Sequence, residues 1–197
     1  MKLFYSINSP YARKCRVVLI EKNLPCEQVA VNALENPPEL LAVNPLGTVP
    51  ALVTDQGLHL CDSTAICEYL DSLPSSAAPL LPEPKARECV LAFVAMSDGI
   101  MDAAVASVLE GRRPKEIQYA MWRERKEAAI LRAISKFAGI DMNHTPLSMG
   151  SIGLAVALSY VSFRLPHLDW RSKHPKLASW LEDFSNRESM QATKPQA

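Results

Sequence analysis

Charge of one sign is not in excess. The chain carries 21 basic and 21 acidic side chains, a formal net charge of zero. A binder of nucleic-acid phosphates normally shows a basic surplus or stripe, so no nucleic-acid partner is expected. Long apolar runs are missing too; Val17-Val18-Leu19-Ile20 is typical of the uninterrupted stretches. None approaches the roughly 18 residues of a spanning helix, so no membrane partner is expected. The first ten residues hold an apolar run too short for the core of a secretion signal. The cysteines Cys15, Cys26, Cys61, Cys67 and Cys89 are odd in number, and none pair at C-x-x-C spacing. That suits reduced thiols, each a small buried hydrophobe, in a cytoplasmic protein. His59, His144, His167 and His174 neither pair at i, i+4 nor adjoin a cysteine, so no metal is expected.

What is present is ordinary globular material: 197 residues, 48% hydrophobic and 21% charged. Such a chain buries enough surface to fold without disulfides or metal. Its texture changes midway. Residues 1–75 alternate short strand-like runs with helices. Residues 85–197 read as helices throughout. Between them, residues 73–84 hold four prolines and two serines. That composition continues neither a helix nor a central strand, and predicts an interdomain linker centred on 76–84.

The first part reads β-α-β-α-β-β-α. Lys2 to Ser6 is a short strand. Ser9-Pro10 opens a helix as N-cap and first helical residue, and Tyr11, Cys15, Val18 and Leu19 follow at helical spacing. Cys26 to Val31 is a second strand. Pro37-Pro38 starts a short helix over Glu39 to Val43. Ala51 to Val53 and Leu58 to Leu60 flank Asp55-Gln56-Gly57, a hairpin signal. Asp62-Ser63 opens another helix with Ile66, Tyr69, Leu70 and Leu73 on one face. The first two strands should be parallel and the hairpin antiparallel. The second part predicts helices over Lys85 to Leu109 with a bend at Gly99, Lys115 to Ala138, Met149 to Phe163 and Pro175 to Arg187. The third of these is almost free of charge and belongs in the middle of a bundle.

Three segments carry chemistry: S-P-Y-A-R-K from Ser9 to Lys14, N-P-L-G-T-V-P-A-L from Asn44 to Leu52, and Asp62-Ser63. The first and last lie at helix N-termini, which present unpaired N–H groups and partial positive charge to anions. Pro50 suits a strand start or a turn with a cis bond.

These segments, in this order and spacing, resemble the cytosolic glutathione transferases. The likeness is greatest to small bacterial members with a S-P-[FY]-x-R-K start and a W-R…H-P-x-L-x-x-W stretch, here Trp170-Arg171, His174-Pro175, Leu177 and Trp180. The resemblance implies an α/β thioredoxin-like domain followed by an all-α helical domain that contributes the electrophile site. It implies glutathione as co-substrate, a small hydrophobic electrophile, and a homodimer. It places the catalytic hydroxyl at Ser9, the cysteinyl backbone of glutathione against Val49 before a cis Pro50, and the γ-glutamyl group at Asp62 and Ser63. Tyr11 and Met101 are candidates for the electrophile site, with Asp98 beside the latter. Tyr5 is a rival activating hydroxyl, because some transferase classes use a tyrosine late in the first strand. Arg13 and Lys14 read as solvated helix charges.

Two departures stand out. The family often has Lys where Thr48 stands, removing one charge for the glycyl carboxylate. The nearly uncharged helix has Ser148 as N-cap but Ser151 where a reciprocal carboxylate is usual, which predicts a cap weaker by about 0.5–1 kcal/mol. With Ser9 and Ala12 in place of cysteines, dithiol exchange is not available there. The expected activity is therefore conjugation, with peroxidase or isomerase side activity. The alternative is a glutathione-binding or regulatory protein of the same fold.

Overall fold

The computed structural model describes residues 1–196, Lys85 by its backbone alone. The expected end of the helical domain, Ala197, lies outside the described residues. The chain divides into two compact units, Met1–Val90 with Arg187–Ala197, and Leu91–Asn186.

The first unit holds β1 (Lys2–Tyr5), α1 (Pro10–Glu21), β2 (Glu27–Ala30), α2 (Pro38–Val43), β3 (Ala51–Val53), β4 (His59–Cys61) and α3 (Ser63–Ser72). The strands form one sheet in the order β2-β1-β3-β4. β1 and β2 are parallel, and the other pairs antiparallel. This is the expected thioredoxin-like βαβαββα arrangement. Strand side chains alternate between faces. Phe4 and Ala51 turn to one face and cluster with Leu40 of α2; Leu3 and Leu52, both fully buried, turn to the other. α1 and α3 pack on each other, burying Cys15, Val18, Ile66 and Leu70.

The second unit takes most of α4 (Pro84–Gly111), then α5 (Ala120–Ala138), α6 (Met149–Arg164), α7 (Trp170–Lys173) and α8 (Pro175–Ser185). α6 is buried almost end to end, as its lack of charge predicts. Its N-terminus supplies the reciprocal bond in another way. Ser151 Oγ accepts from Ser148 N at 2.9 Å while Ser148 Oγ accepts from Ser151 N at 3.2 Å. A serine hydroxyl thus closes the reciprocal pair without a carboxylate.

Other expectations shift. α5 begins at Ala120, because residues 115–117 form a separate short turn. Tyr119 N donates to Glu110 Oε1 at 2.7 Å, and Gln118 Nε2 donates to Arg113 O at 2.7 Å, which ties this stretch back to the end of α4. α4 runs through Gly99 as one helix. Its Ala86–Gly111 portion has the length and hydropathy, 1.7, to cross a membrane, with 33% of that window buried. Counting uninterrupted runs missed it because Ser97, Asp98, Gly99 and Asp102 break the sequence of apolar residues. Run length alone therefore does not exclude a spanning helix here.

The prolyl stretch is pinned to the first unit. Asp71 accepts from Leu80 N and Leu81 N, both at 2.8 Å, and from Lys22 Nζ at 2.9 Å. The C-terminal segment also belongs to this unit. Its short helix α9 (Glu188–Ala192) packs on α1, and Gln196 N donates to Asn8 Oδ1 at 3.1 Å. Arg187 donates to both oxygens of Glu21, at 2.7 and 2.8 Å, and Ser189 Oγ adds a third bond. The bond from Arg187, helped by Ser189, holds the Glu21 carboxyl below its ordinary value of 4.5 against the opposing effect of burial. A depressed carboxyl stabilises the fold above its unfolded value and loses that contribution as pH falls through the folded one. Acid should therefore loosen α9 from α1 below about pH 4.5. Glu21→Gln should flatten the acid limb of the stability curve, read by hydrogen exchange in residues 187–196 as pH is lowered.

In the second unit, Ser97 Oγ is buried with no hydrogen-bond partner among the described residues. It lies where α4 approaches α6: a Cβ on Gly153 would stand 3.3 Å from Ser97 Cβ. An unmade buried hydrogen bond costs about 1–3 kcal/mol. Ser97→Ala should raise the thermal midpoint by about 2–4 °C for a gain near 1 kcal/mol. Gly153→Ala should lower it, because both helices must give way.

Candidate functional site

The site assembles at one edge of the four-stranded sheet. Tyr5 pairs with Ala30, Phe4 with Ala51, and Ala51 with Cys61. The exit of β1, the entrance of β3 and the exit of β4 therefore lie along the same edge. These points lead into Ser9, follow Val49-Pro50, and lead into Asp62-Ser63. The three segments separated in sequence are brought to that edge by register alone.

At the first point Ser9 N donates to Ser6 O at 3.0 Å, making the turn that ends β1. Ser9 caps α1, its Oγ accepting from Ala12 N at 3.3 Å. Accepting leaves the hydroxyl proton available for a ligand acceptor. Tyr11, two residues on, is half-buried. Tyr5 lies under Arg16, whose guanidinium stacks 4.2 Å above its ring.

At the second point the Val49-Pro50 bond is cis, as the V-P turn implies. Asn44, buried, holds the approach: its Nδ2 donates to Thr48 O at 2.9 Å and to Thr48 Oγ1 at 3.0 Å. Among the described residues, neither the Val49 N–H nor its C=O has a partner within the chain. Backbone polar groups in that condition are free to pair with a peptide ligand.

At the third point Asp62, not Ser63, is the N-cap of α3. Its Oδ1 accepts from Thr64 N at 2.8 Å and Ala65 N at 3.2 Å. Its φ is +72°, a strained region for a side chain other than glycine. Ser63, the first helical residue, is 4% exposed. Cys15 Sγ donates to Ser63 O at 3.6 Å and lies 3.7 Å from Cys67 Sγ. Burial, then the Cys67 neighbour, pushes the Cys15 thiol well above its ordinary pKa, which makes it a packing residue rather than a nucleophile.

Several expectations change. Arg13 and Lys14 are not solvated: they are 6% and 2% exposed. Arg13 donates to Met190 O at 3.0 Å and to Thr193 Oγ1 at 3.3 Å, anchoring the C-terminal segment. Burial, with a smaller effect from Arg16, lowers its pKa to about 10. Lys14 Nζ donates to Thr64 Oγ1 at 3.2 Å. The signal was present: Lys14 and Lys22 fall at the third and eleventh positions after Tyr11, on the apolar stripe of α1. Met101 is fully buried in α4 and presents no surface to a ligand. Cys61 and Cys89 are exposed rather than buried hydrophobes.

The glutathione S-transferase N-terminal domain family matches residues 3–79, and the glutathione S-transferase C-terminal domain family matches residues 120–183. The chain is 32% identical over 199 residues to the uncharacterized GST-like protein YibF of Escherichia coli, covering 99% of this chain and 98% of that one. A glutathione transferase family member from Pseudomonas fluorescens, solved with bound glutathione, superposes with a TM-score of 0.91 at 35% identity, over 100% of this chain and 99% of that one. A glutathione S-transferase from Methylobacillus flagellatus, also solved with glutathione bound, gives 0.92 at 36% identity, with 99% of each chain covered. The chain belongs to the glutathione S-transferase family.

Proposed function

We propose that the protein binds glutathione along the sheet edge and activates its thiol as a thiolate for attack on a small hydrophobic electrophile. The observation that carries the reading is the convergence of Ser9, Val49-Pro50 and Asp62-Ser63 at that edge. The relatives solved with glutathione bound support it. The ligand's cysteinyl backbone pairs with the unpartnered Val49 N–H and C=O. Its γ-glutamyl end docks at Asp62 and Ser63. Its sulfur lies at Ser9, whose hydroxyl donates to it.

The thiolate is the nucleophile, and a free thiol has pKa about 8.5. A hydrogen bond to a charged acceptor contributes about 1.5–3 kcal/mol, and about 1.36 kcal/mol is one pKa unit. Ser9 therefore lowers the thiol by roughly one to two units. The positive end of α1 adds a fraction of a unit. The sulfur attacks the electrophilic carbon, the leaving group departs with the bonding pair, and the thiol proton has already gone to solvent. Tyr11, on the same first turn as Ser9, is the residue of this unit proposed to meet the electrophile.

Glutathione affinity by calorimetry, thiolate absorbance of the complex against pH, and conjugation of an aromatic halide test the reading together. Absence of binding overturns it. Binding without thiolate near neutral pH favours a glutathione-binding protein without conjugation. The observation on that side is that Ser9 Oγ already serves as a helix cap. The proposal includes a homodimer, for which sedimentation should give twice the chain mass, and a cytoplasmic setting suited to free thiols.

A further inference from the structure

We propose that the C-terminal segment, residues 187–196, is the positioning element for the Ser9 hydroxyl, acting through Asn8 and Arg13 on either side of it. This rests on the reading that Ser9 donates to the glutathione sulfur, and it names what aims that donor. A hydrogen bond weakens steeply as its angle closes, so the donor works only while its backbone keeps it aimed. Ser9 does little of that for itself. Its own cap bond, from Ala12 N to Ser9 Oγ, spans 3.3 Å, longer than the roughly 2.9–3.0 Å usual for N–H···O. The aim is therefore set by the backbone that carries Ser9. Before it lies the turn Ser6–Ser9, closed by Ser9 N donating to Ser6 O at 3.0 Å. After it lies the first turn of α1, where Arg13 N donates to Ser9 O at 3.0 Å.

One side of the turn is fixed by the sheet, since Ser6 Oγ donates to Val31 O at 2.6 Å. The other side is fixed by residues 187–196, which belong to the same compact unit. Asn8, the residue before Ser9, accepts at Oδ1 from Gln196 N at 3.1 Å. Arg13, whose N–H holds Ser9 O, sends its guanidinium to Met190 O at 3.0 Å and to Thr193 Oγ1 at 3.3 Å. Thr193 Oγ1 in turn donates to Ser189 O at 2.7 Å, which fixes the direction of that acceptor. Arg13, Met190 and Thr193 are all buried, so these bonds compete little with water. The far end of α1 is held by the same segment through Glu21 and Arg187. Packing alone would need only contact along α1. Here the long-range polar bonds fall on the residue that precedes Ser9 in the chain and on the residue bonded to its carbonyl. Asn8 and Arg13 do not touch the sulfur; they act through the backbone of Ser9.

The test follows thiolate absorbance of the glutathione complex against pH, with the dissociation constant taken by calorimetry at pH 7. The double variant Thr193→Val, Gln196→Pro removes the hydroxyl that Arg13 reaches and the N–H that Asn8 accepts. It leaves β1, the turn and α1 unchanged in sequence. It should raise the midpoint of thiol ionisation by about half a unit, or about threefold less thiolate below the midpoint, and change the dissociation constant less than about twofold. Arg13→Met should raise the midpoint by up to about one unit, no further than Ser9→Ala does. Arg13→Lys, which keeps a cationic donor in place, should recover part of that shift. The deciding arm repeats the double variant in a Ser9→Ala background. With no donor left to aim, the midpoint should not move again. A midpoint unmoved by the double variant, or the same shift with and without the Ser9 hydroxyl, overturns the inference and leaves the glutathione reading standing. A wild-type complex whose thiol ionises no more readily than free glutathione overturns the role of Ser9 and the inference with it. If Arg13→Met does not fold, the double variant decides by the same outcomes.

Discussion

Ser9→Ala is expected to lower conjugation about tenfold at pH 7 and to leave it nearly unchanged above pH 9, the shift expected when about one to two pKa units are lost. In the wild type a large share of bound thiol is ionised at neutral pH. Without the hydroxyl donor, only a few per cent is ionised for a pKa of about 8.5. Glutathione affinity near pH 7 should change less than about threefold, because only the thiolate gains from the donor. The measurement is kcat/KM against pH with an aromatic halide. Ser9 also caps α1, and losing a serine cap to alanine costs about 1 kcal/mol, whereas glycine costs a few tenths. Ser9→Gly separates the two roles: it should show the same kinetic shift with a smaller loss of stability. A pH profile that does not move in either variant means that Ser9 is a helix cap only.

Asp71→Ala should have the largest effect on stability. Lys22 and Asp71 side chains are 3% and 7% exposed, and their ion pair spans 2.9 Å. Asp71 also receives Leu80 N and Leu81 N. Removing one partner of a buried pair typically costs about 3–5 kcal/mol, because the other charge is left unpaired in low dielectric. Two backbone donors lose their acceptor as well. The denaturant midpoint should fall accordingly, and residues 73–83 should become sensitive to protease. The double variant Lys22→Met with Asp71→Ala should lose less than the two singles summed, since it leaves no unpaired charge. Strict additivity would mean that the pair does not act as a unit.

The parts of the fold that were legible in the sequence are those written in local signals. Ser9-Pro10 and Asp62-Ser63 announce helix starts through their own chemistry. Asp55-Gln56-Gly57 announces a hairpin through its turn residues. Ser9, Val49-Pro50 and Asp62-Ser63 could be named as a group only through the family resemblance, since each alone is a common cap or turn. What remained unread depends on distant partners. Lys14 meets Thr64 fifty residues on. Lys22 meets Asp71 across 49 positions of sequence. Arg13 meets Thr193 after 180. α9 has five residues, too short for any periodicity to show, and takes its place from Glu21 and Arg13 rather than from its own pattern. Ser151 reads from the sequence only as a missing carboxylate, because nothing local says that its hydroxyl turns back to Ser148 N.

The return of residues 187–196 to α1 bears on how the protein is made. Its first folding unit is discontinuous: the sheet spans Lys2 to Cys61, but the groups that seat Arg13 are Met190 and Thr193, beyond the whole second unit. During synthesis the ribosome therefore releases the sheet long before it supplies Met190 and Thr193. In that interval the guanidinium side of α1 lacks its acceptors, and the nascent first unit waits for residues 187–196 to cover it.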